Sequence, residues 1–114
     1  MAYNSAFEPM GKTFKIAAPT ANTAVTIPIT SDSPCRNYMV SCHTDTTKPA
    51  YVRISTSNVA ASLPTVSGEY AMLVPPSARM VLTGPQVSST TTVYVSMIGE
   101  NNNAEIYVTP GEGI

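Results

Sequence analysis

The sequence predicts an all-β fold: a single-domain antiparallel β-sandwich, jelly-roll-like, with about eight strands and an N-terminal arm. Short segments that alternate polar and apolar residues recur along the chain at intervals of roughly 8 to 14 residues. Prolines, glycines and other turn-forming residues separate these segments, and no stretch of useful length has the period of a helix. The strand count and the loop lengths suit a jelly roll, and an immunoglobulin-like sandwich is the alternative.

The predicted strands follow one another at residues 12–16, 23–29, 36–42, 50–55, 70–74, 79–83, 91–98 and 104–109. Alternation within the strands predicts the side chains that face the core: Phe14, Ile16, Val25, Ile27, Ile29, Tyr38, Val40, Cys42, Val52, Ile54, Val93, Val95 and Met97. Pro28 has no backbone N–H, so the second strand is predicted to lie at a sheet edge or a bulge.

Two turns are predicted near the end of the chain. Gly84-Pro85 is expected to turn the chain after the sixth strand. Residues 99–103 are expected to close a hairpin between the last two strands, because Gly and Asn tolerate positive φ. In that hairpin Val95 would pair with Val108, which places the apolar side chains of both strands on one face.

The chain has 114 residues, which fits one domain and no more. Residues 1–12 show no clear period and contain Pro9 and Gly11, so they are predicted to form an N-terminal arm. Residues 13–114 are assigned to the β-sandwich. The arm either docks on a neighbouring molecule or frays in solvent, and the sequence leaves both interpretations open.

Charged residues make up only 11% of the chain, against about 25% in an average soluble protein. The polar surface must therefore come from Ser, Thr, Asn and Gln, whose side chains cost less to desolvate than charges do. This composition predicts a protein that its neighbours cover in an assembly. An extracellular β-domain would have a similar surface.

Charge and hydropathy argue against two classes of partner. The six Lys and Arg residues are scattered and the net charge is −1, so nucleic acid is not a predicted partner. No apolar run approaches the roughly 20 residues of a membrane-spanning helix, so no membrane partner is predicted. The N-terminus has no signal-peptide pattern, and the chain is expected to stay in a cytoplasm or to assemble there into a particle.

No catalytic, cofactor-binding or metal-ligating residue is predicted, and the protein is not expected to be an enzyme. Cys35 and Cys42 would lie roughly 23 Å apart in an extended strand, too far for a disulfide, so both are predicted to be free, partly buried thiols. His43 lacks the ligand spacing of a zinc site. It also points to the opposite face of its strand from Cys42, so it cannot easily take the thiol proton.

Five outward side chains are candidates for an interaction surface. Tyr51, Tyr94 and Tyr107 lie opposite the predicted core face, where tyrosine can anchor a protein interface or stack on a sugar. If the face assignment is inverted, they belong to the core. Arg53 and Arg79 also point outward, either as interface residues or as ordinary solubilising charges.

The order of these parts resembles the capsid decoration, or cement, proteins of tailed bacteriophages. Tyr51–Ile54 is similar to their recurring aromatic-Val-Arg-aliphatic strand, and a Ser/Thr/Ala-rich loop follows at Ser55–Ser67. A strand that ends at Val74-Pro75 and a further strand at Arg79–Leu82 come next. The tail Ile106–Gly113 resembles the C-termini of many such proteins.

The resemblance covers residues 50–114, and residues 1–49 are similar in style alone. It implies a non-enzymatic virion structural protein that binds the major capsid protein and stabilises the phage head as a homo-oligomer, a trimer in particular. It places the protein on the capsid surface after assembly in the host cytoplasm, and it carries over no catalytic residue and no cofactor. The alternative is a carbohydrate- or receptor-binding module of the tail-fibre type that uses the outward tyrosines.

Overall fold

The computed structural model describes residues 7–43 and 48–113 of the chain. Within them the chain forms nine β-strands: β1 Glu8–Pro9, β2 Phe14–Ala18, β3 Val25–Ile29, β4 Cys35–Cys42, β5 Ala50–Ser55, β6 Met72–Val74, β7 Arg79–Val87, β8 Val93–Gly99 and β9 Ala104–Glu112. The strands β2 to β9 correspond to the predicted ones, which confirms the all-β prediction. No helix in these two ranges is long and apolar enough to cross a membrane.

The strands form two antiparallel sheets that face each other as a sandwich. The five-stranded sheet has the order β1-β9-β4-β7, and β2 also pairs with β9. The four-stranded sheet has the order β3-β8-β5-β6. From β2 to β9 consecutive strands change sheet at every step except from β5 to β6. This interleaved order is that of a jelly roll and rules out the immunoglobulin-like alternative.

The core lies between the sheets and uses the side chains that alternation predicts. Nine of the predicted core residues are buried: Ile16, Ile29, Tyr38, Val40, Cys42, Val52, Val93, Val95 and Met97. The other four are partly buried and pack against this cluster: Phe14, Val25, Ile27 and Ile54. Full burial of one such aliphatic side chain stabilises the fold by about 1.5–3 kcal/mol, so this cluster accounts for the pairing of the sheets.

The predicted turn at Gly84-Pro85 is wrong. Both residues lie inside β7, which continues to Val87 and pairs with Cys35 across a register shift. The Tyr38 hydroxyl donates a hydrogen bond to the Pro85 carbonyl and holds this segment in the sheet. Because β7 is an edge strand, Pro85 can sit there without removing a ladder hydrogen bond.

The predicted hairpin between the last two strands does not form. β8 pairs with β3 and β5, whereas β9 pairs with β1, β2 and β4, so residues 99–103 carry the chain from one sheet to the other. Val95 and Val108 are both buried in the shared core. Their apolar faces meet across the sandwich, which buries them as fully as a side-by-side arrangement would.

The described part of the predicted N-terminal arm lies against the sandwich. Glu8 and Pro9 form β1, which pairs with Glu112 and Gly111 of β9. Phe7 is buried. Residues 1–6 of the predicted arm lie outside the described residues, as do residues 44–47 between the predicted strands 36–42 and 50–55.

Candidate functional site

The outer face of the four-stranded sheet is covered by the chain itself. Residues 56–71 fold over it, and a second hydrophobic cluster forms from Tyr51, Ala61 and Ile98, with Leu63 packed against them. The backbone N–H of Ala61 donates to Ser96 Oγ at 2.8 Å, beneath the loop. This face is therefore not a free surface around Tyr51.

The outer face of the five-stranded sheet is left open by the described residues. Two rows at its centre carry no charge: Thr13, Thr109, Met39 and Val81 form one, and Asn37 and Thr83 belong to the other. In the next row Tyr107 and Ser41 lie between Lys15 and Arg79, so a cation stands at each end of that row. We call this surface the flat face. Small uncharged side chains in register give a surface that a partner can cover at low desolvation cost.

Hydrogen bonds fix several side chains of the flat face before any partner arrives. The hydroxyls of Thr13 and Thr109 lie 2.7 Å apart. Thr83 donates to Asn37 Oδ1 at 2.9 Å, and the Asn37 amide donates to the Gly113 carbonyl at 2.9 Å. Ordering these side chains in advance lowers the entropy that is lost on binding.

Polar and charged groups gather at one end of the flat face. Lys15 and Glu105 form an ion pair at 3.1 Å, and the Tyr107 hydroxyl donates to Glu105 at 3.2 Å. The rings of His43 and Tyr107 are nearly perpendicular with centroids 5.1 Å apart, and His43 Nε2 lies 2.8 Å from Ser41 Oγ. These contacts tie β2, β9 and the end of β4 together along one side of the sheet.

The ion pair shifts the titration of both of its members. The hydrogen bond from Lys15 holds the pKa of the Glu105 carboxyl below its ordinary value. The same hydrogen bond raises the pKa of Lys15 above its ordinary value. Both groups are therefore charged near neutral pH, which leaves them solvated and ordered at the end of the flat face.

A second surface lies at the side of the sandwich where the edge strands β6 and β7 face each other. Met72 of β6 lies here and is 51% exposed, whereas its neighbour Leu73, 45% exposed, is paired with Tyr51 and points to the outer face of its sheet. Between the two sheets an apolar cleft of about 410 Å³ opens here, lined by Val52, Ile54, Met72, Met80, Val81, Leu82, Thr83 and Gly84. We call it the flank cleft. Apolar side chains gathered at one opening are typical of a binding surface.

The loop that covers the four-stranded sheet ends in an exposed turn. The Gly68 N–H donates to the Thr65 carbonyl at 2.9 Å, and Gly68 adopts a φ of +91° that favours glycine. Val66 lies at this turn and its side chain is fully exposed. After the turn, the Tyr70 ring lies 4.9 Å from the Arg53 guanidinium carbon, a cation–π contact that fixes the loop's return to the sheet.

The structure separates the three tyrosines that the sequence singles out. Tyr51 is covered by the loop at 9% exposure, Tyr94 lies on the outer face of the four-stranded sheet, and Tyr107 lies on the flat face. They do not form one platform. Arg53 and Arg79 are likewise on different sheets, in β5 and β7.

Neither cysteine forms a disulfide, as predicted. Both are buried, whereas the sequence predicts that they are only partly buried. Burial raises the pKa of the Cys35 thiol, and it also raises the pKa of the neighbouring Tyr38 hydroxyl. Among residues 7–43 and 48–113, no three His, Cys, Asp or Glu side chains are grouped so that they could hold a metal ion.

Two features of these surfaces are not apparent in the sequence. Met72 and Leu73 have the pattern of ordinary strand residues, and only the position of β6 at the sheet edge shows that both are exposed. Ser96 has the position of an ordinary outward serine in its strand. The small residues around Ala61 are the sequence feature that could indicate the contact with Ser96, because a small side chain lets a loop backbone approach a sheet closely.

No protein-family model, no curated protein and no solved structure shows a significant match to the chain.

Proposed function

We propose that the protein is a non-enzymatic structural component of a virion, which binds the head shell of a tailed bacteriophage as a homo-oligomer and stabilises it. The observation that carries the proposal is the difference between the two sheets. One outer face is covered by the protein's own loop, and the other, the flat face, is open and has two uncharged rows at its centre, with Lys15 and Arg79 at the two ends of the neighbouring row. The resemblance of residues 50–114 to capsid decoration proteins supplies the identity of the partner.

The dimensions of the flat face suit a weak contact that is repeated many times. Four strands about 4.8 Å apart and about six residue steps along each strand span roughly 19 Å by 20 Å. The resulting area of roughly 400 Å² is about half of the 800 Å² per partner in a standard interface. One such contact binds weakly, but a homo-oligomer that engages several shell subunits at once gains affinity through avidity.

The chemistry of the flat face agrees with this role. The cores of protein interfaces are depleted in charge, and the Thr, Asn, Met and Val side chains here meet that condition. Hydrogen bonds among Thr13, Thr109, Asn37 and Thr83 order the side chains in advance. The charged group around Glu105 lies at one end, where it can orient the partner at the rim of the contact.

The test is direct binding of purified, fluorescently labelled protein to phage particles stripped of it, followed by imaging of the particles. We expect regular labelling of heads and none of tails. Met39→Glu places a charge in the middle of the flat face and should abolish head binding. Thr90→Glu, at an exposed turn away from the flat face, is the matched control and should bind as the wild type does. Labelling of tail tips alone, or binding unaffected by Met39→Glu, contradicts the proposal.

A further inference from the structure

We infer that the flat face carries a carboxylate-binding pocket at the end beside Arg79, and that the pocket takes an aspartate or glutamate side chain of the head shell. The choice of occupant rests on the proposed function, which names the shell protein as the partner. Three features carry the inference: an arginine without a partner, a hydrogen-bonded serine and histidine beside it, and a serine in a backbone conformation that favours glycine.

The pocket lies where β4 ends and β7 begins. Its volume is about 390 Å³, and its lining consists of Ser41, Cys42, His43, Ser77, Ala78 and Arg79. Ser41 is in register with Arg79 on one side and with Tyr107 on the other, so both belong to the outward row that begins with Lys15. The pocket therefore opens on the flat face, and we call it the Arg79 pocket.

The Arg79 guanidinium has no hydrogen bond, ion pair or ring contact within the described part of the chain. The other two arginines each have a partner, since Arg36 donates to the Gly84 carbonyl and Arg53 lies against the Tyr70 ring. A guanidinium is a planar fork of donors that matches the two oxygens of a carboxylate. Arg79 thus keeps its full donor set for an acceptor from outside the chain.

Ser41 and His43 hold two further polar groups of the pocket in place. Ser41 Oγ lies 2.8 Å from His43 Nε2, and the His43 backbone N–H donates to the Glu105 carbonyl at 2.8 Å. When the ring proton is on Nε2, His43 donates to Ser41 Oγ and leaves the serine hydroxyl proton for a carboxylate. Because these groups are ordered before a ligand arrives, binding costs them little further entropy.

Ser77 adopts a φ of +59°, in the left-handed region. The other non-glycine residues with positive φ in the described ranges are Asn22 and Asn103, and asparagine tolerates this region. Ser77 is the third residue of a turn in which the Ala78 N–H donates to the Pro75 carbonyl at 3.2 Å, a position that favours glycine when φ is positive. A serine here strains the turn and adds a hydroxyl to the pocket, which points to a role in binding.

The charges of this row select an anion as the occupant. Lys15 and Glu105 neutralise each other at 3.1 Å, and the Tyr107 hydroxyl also donates to Glu105. The cation at one end of the row is therefore satisfied, whereas Arg79 at the other end is not. Because the proposed partner is a protein shell, the anions that its surface presents are Asp and Glu side chains. Such a contact at the rim fixes the orientation of the partner.

NMR of the full chain tests the pocket by itself, with acetate as the probe and chloride exchanged for it at constant ionic strength. We expect the Arg79 Nε–H signal and the amide signals of His43 and Ser77 to shift as acetate replaces chloride. Arg79→Gln should weaken acetate binding by about 10-fold or more, the effect of losing hydrogen bonds to a charged group. Lys12→Gln removes an equal charge from an exposed lysine outside the pocket and should bind as the wild type does.

Ser77→Gly separates a role in binding from a role in folding. The variant should unfold at a higher temperature than the wild type, because glycine adopts positive φ without strain. It should also bind acetate about 2- to 10-fold more weakly, because one hydroxyl donor is lost. Acetate binding equal to that of the wild type would exclude Ser77 from the site.

Stripped heads test the occupant. Carbodiimide and ethanolamine convert the surface carboxylates of the heads to amides, and mock-treated heads receive ethanolamine alone. On mock-treated heads, Arg79→Gln should bind about 10-fold or more weakly than Lys12→Gln does. On amidated heads the two variants should bind equally, because the anion that Arg79 recognises has been removed.

A carboxylate pocket is ruled out if acetate shifts none of these signals, or if Arg79→Gln binds acetate as the wild type does. Asp45, two positions after His43 in the sequence, lies outside the described residues. A response to acetate that appears only in Asp45→Asn would make the chain's own carboxylate the occupant and would equally overturn the inference.

The head experiment distinguishes the remaining outcomes. If wild-type protein labels heads and Arg79→Gln labels them as well as Lys12→Gln does, the shell carboxylate is overturned and the proposed function stands. If acetate binds at Arg79 and wild-type protein leaves heads unlabelled, the proposed function is overturned and the pocket stands.

Discussion

The backbone N–H of Ala61 and the hydroxyl of Ser96 are 2.8 Å apart and both residues are buried, although they belong to a surface loop and to the outer face of a sheet. Ser96 Oγ also accepts a hydrogen bond from the Thr26 hydroxyl at 2.9 Å. A single serine therefore joins β3, β8 and the covering loop. Without it, the loop that carries Val66 and Tyr70 would lose its polar anchor.

Ser96→Ala should destabilise the fold and loosen the loop. The change leaves the buried Ala61 N–H without an acceptor, which costs about 1–3 kcal/mol. Urea unfolding should report that loss, and amide hydrogen exchange should show faster exchange at Ala61 than in the wild type. Ser62→Ala, at an exposed loop position, is the control and should leave both measurements unchanged. Unaltered protection of the Ala61 amide would show that the loop is held by its apolar contacts alone.

Lys15→Gln should raise the pKa of Glu105. In the wild type the hydrogen bond from Lys15 lowers that pKa, so the carboxylate's contribution to stability is present above the unfolded-state pKa and is lost as pH falls through the folded-state value. The pKa of Lys15 is raised, so its contribution is present below its unfolded-state pKa and is lost as pH rises through the folded-state value. The pair is therefore intact across the neutral range.

NMR titration of the Glu105 side-chain carboxyl carbon measures this effect. The wild-type midpoint should lie below the ordinary value for glutamate, and the variant midpoint should move up towards it. Lys12→Gln removes an exposed lysine three positions away and should leave the midpoint where it is. Equal midpoints in the wild type and in Lys15→Gln would mean that the ion pair does not persist in solution.

Gly111→Ala should destabilise the protein by separating β1 from β9. A β-carbon at Gly111 would overlap the Glu8 carbonyl oxygen and the Phe7 ring. Relieving such an overlap costs about 1–3 kcal/mol, to be measured by urea unfolding. The double variant Phe7→Ala/Gly111→Ala should be less destabilised than the sum of the two single changes, because one of the two overlaps is gone. If the two destabilisations were strictly additive, the effect of Gly111→Ala would not arise from contact with the Phe7 ring.

Native protein should not react with a thiol reagent such as Ellman's reagent. Cys35 and Cys42 are each 1% exposed, and burial raises the pKa of the Cys35 thiol, which disfavours the reactive thiolate. Two thiols per chain should be titrated after unfolding in urea, which also demonstrates that no disulfide is present. Rapid labelling of the folded protein at either position would contradict the burial of that cysteine.

Alternation predicts the strands well because each strand buries one face. The Arg36-to-Cys42 stretch shows this most clearly: Tyr38, Val40 and Cys42 are predicted to face the core and are all buried. Alternation cannot say which strand lies beside which. Val95 and Val108 have compatible apolar faces whether their strands pair in one sheet or face each other across the core, and the protein uses the second arrangement.

The candidate surfaces are only partly predictable for a related reason. Tyr51 is correctly predicted on the side opposite the core, but it is covered by Ala61 and Leu63, which lie ten and twelve positions further along the chain. Whether an outward face is covered depends on contacts between segments that are distant in sequence. The flat face is therefore predictable in composition, as a hydroxyl-rich surface with few charges, and not in position.

Residue type and a period of two within each strand are enough to define the all-β class, the core residues and the free state of the cysteines. The jelly-roll order, the docking of Glu8 and Pro9 on β9, the open flat face and the opening of the flank cleft beside Met72 emerge only in three dimensions. Those features arise where β7 and β6 end their sheets and where a loop meets Ser96. They depend on which segments meet in space, and local pattern does not encode that.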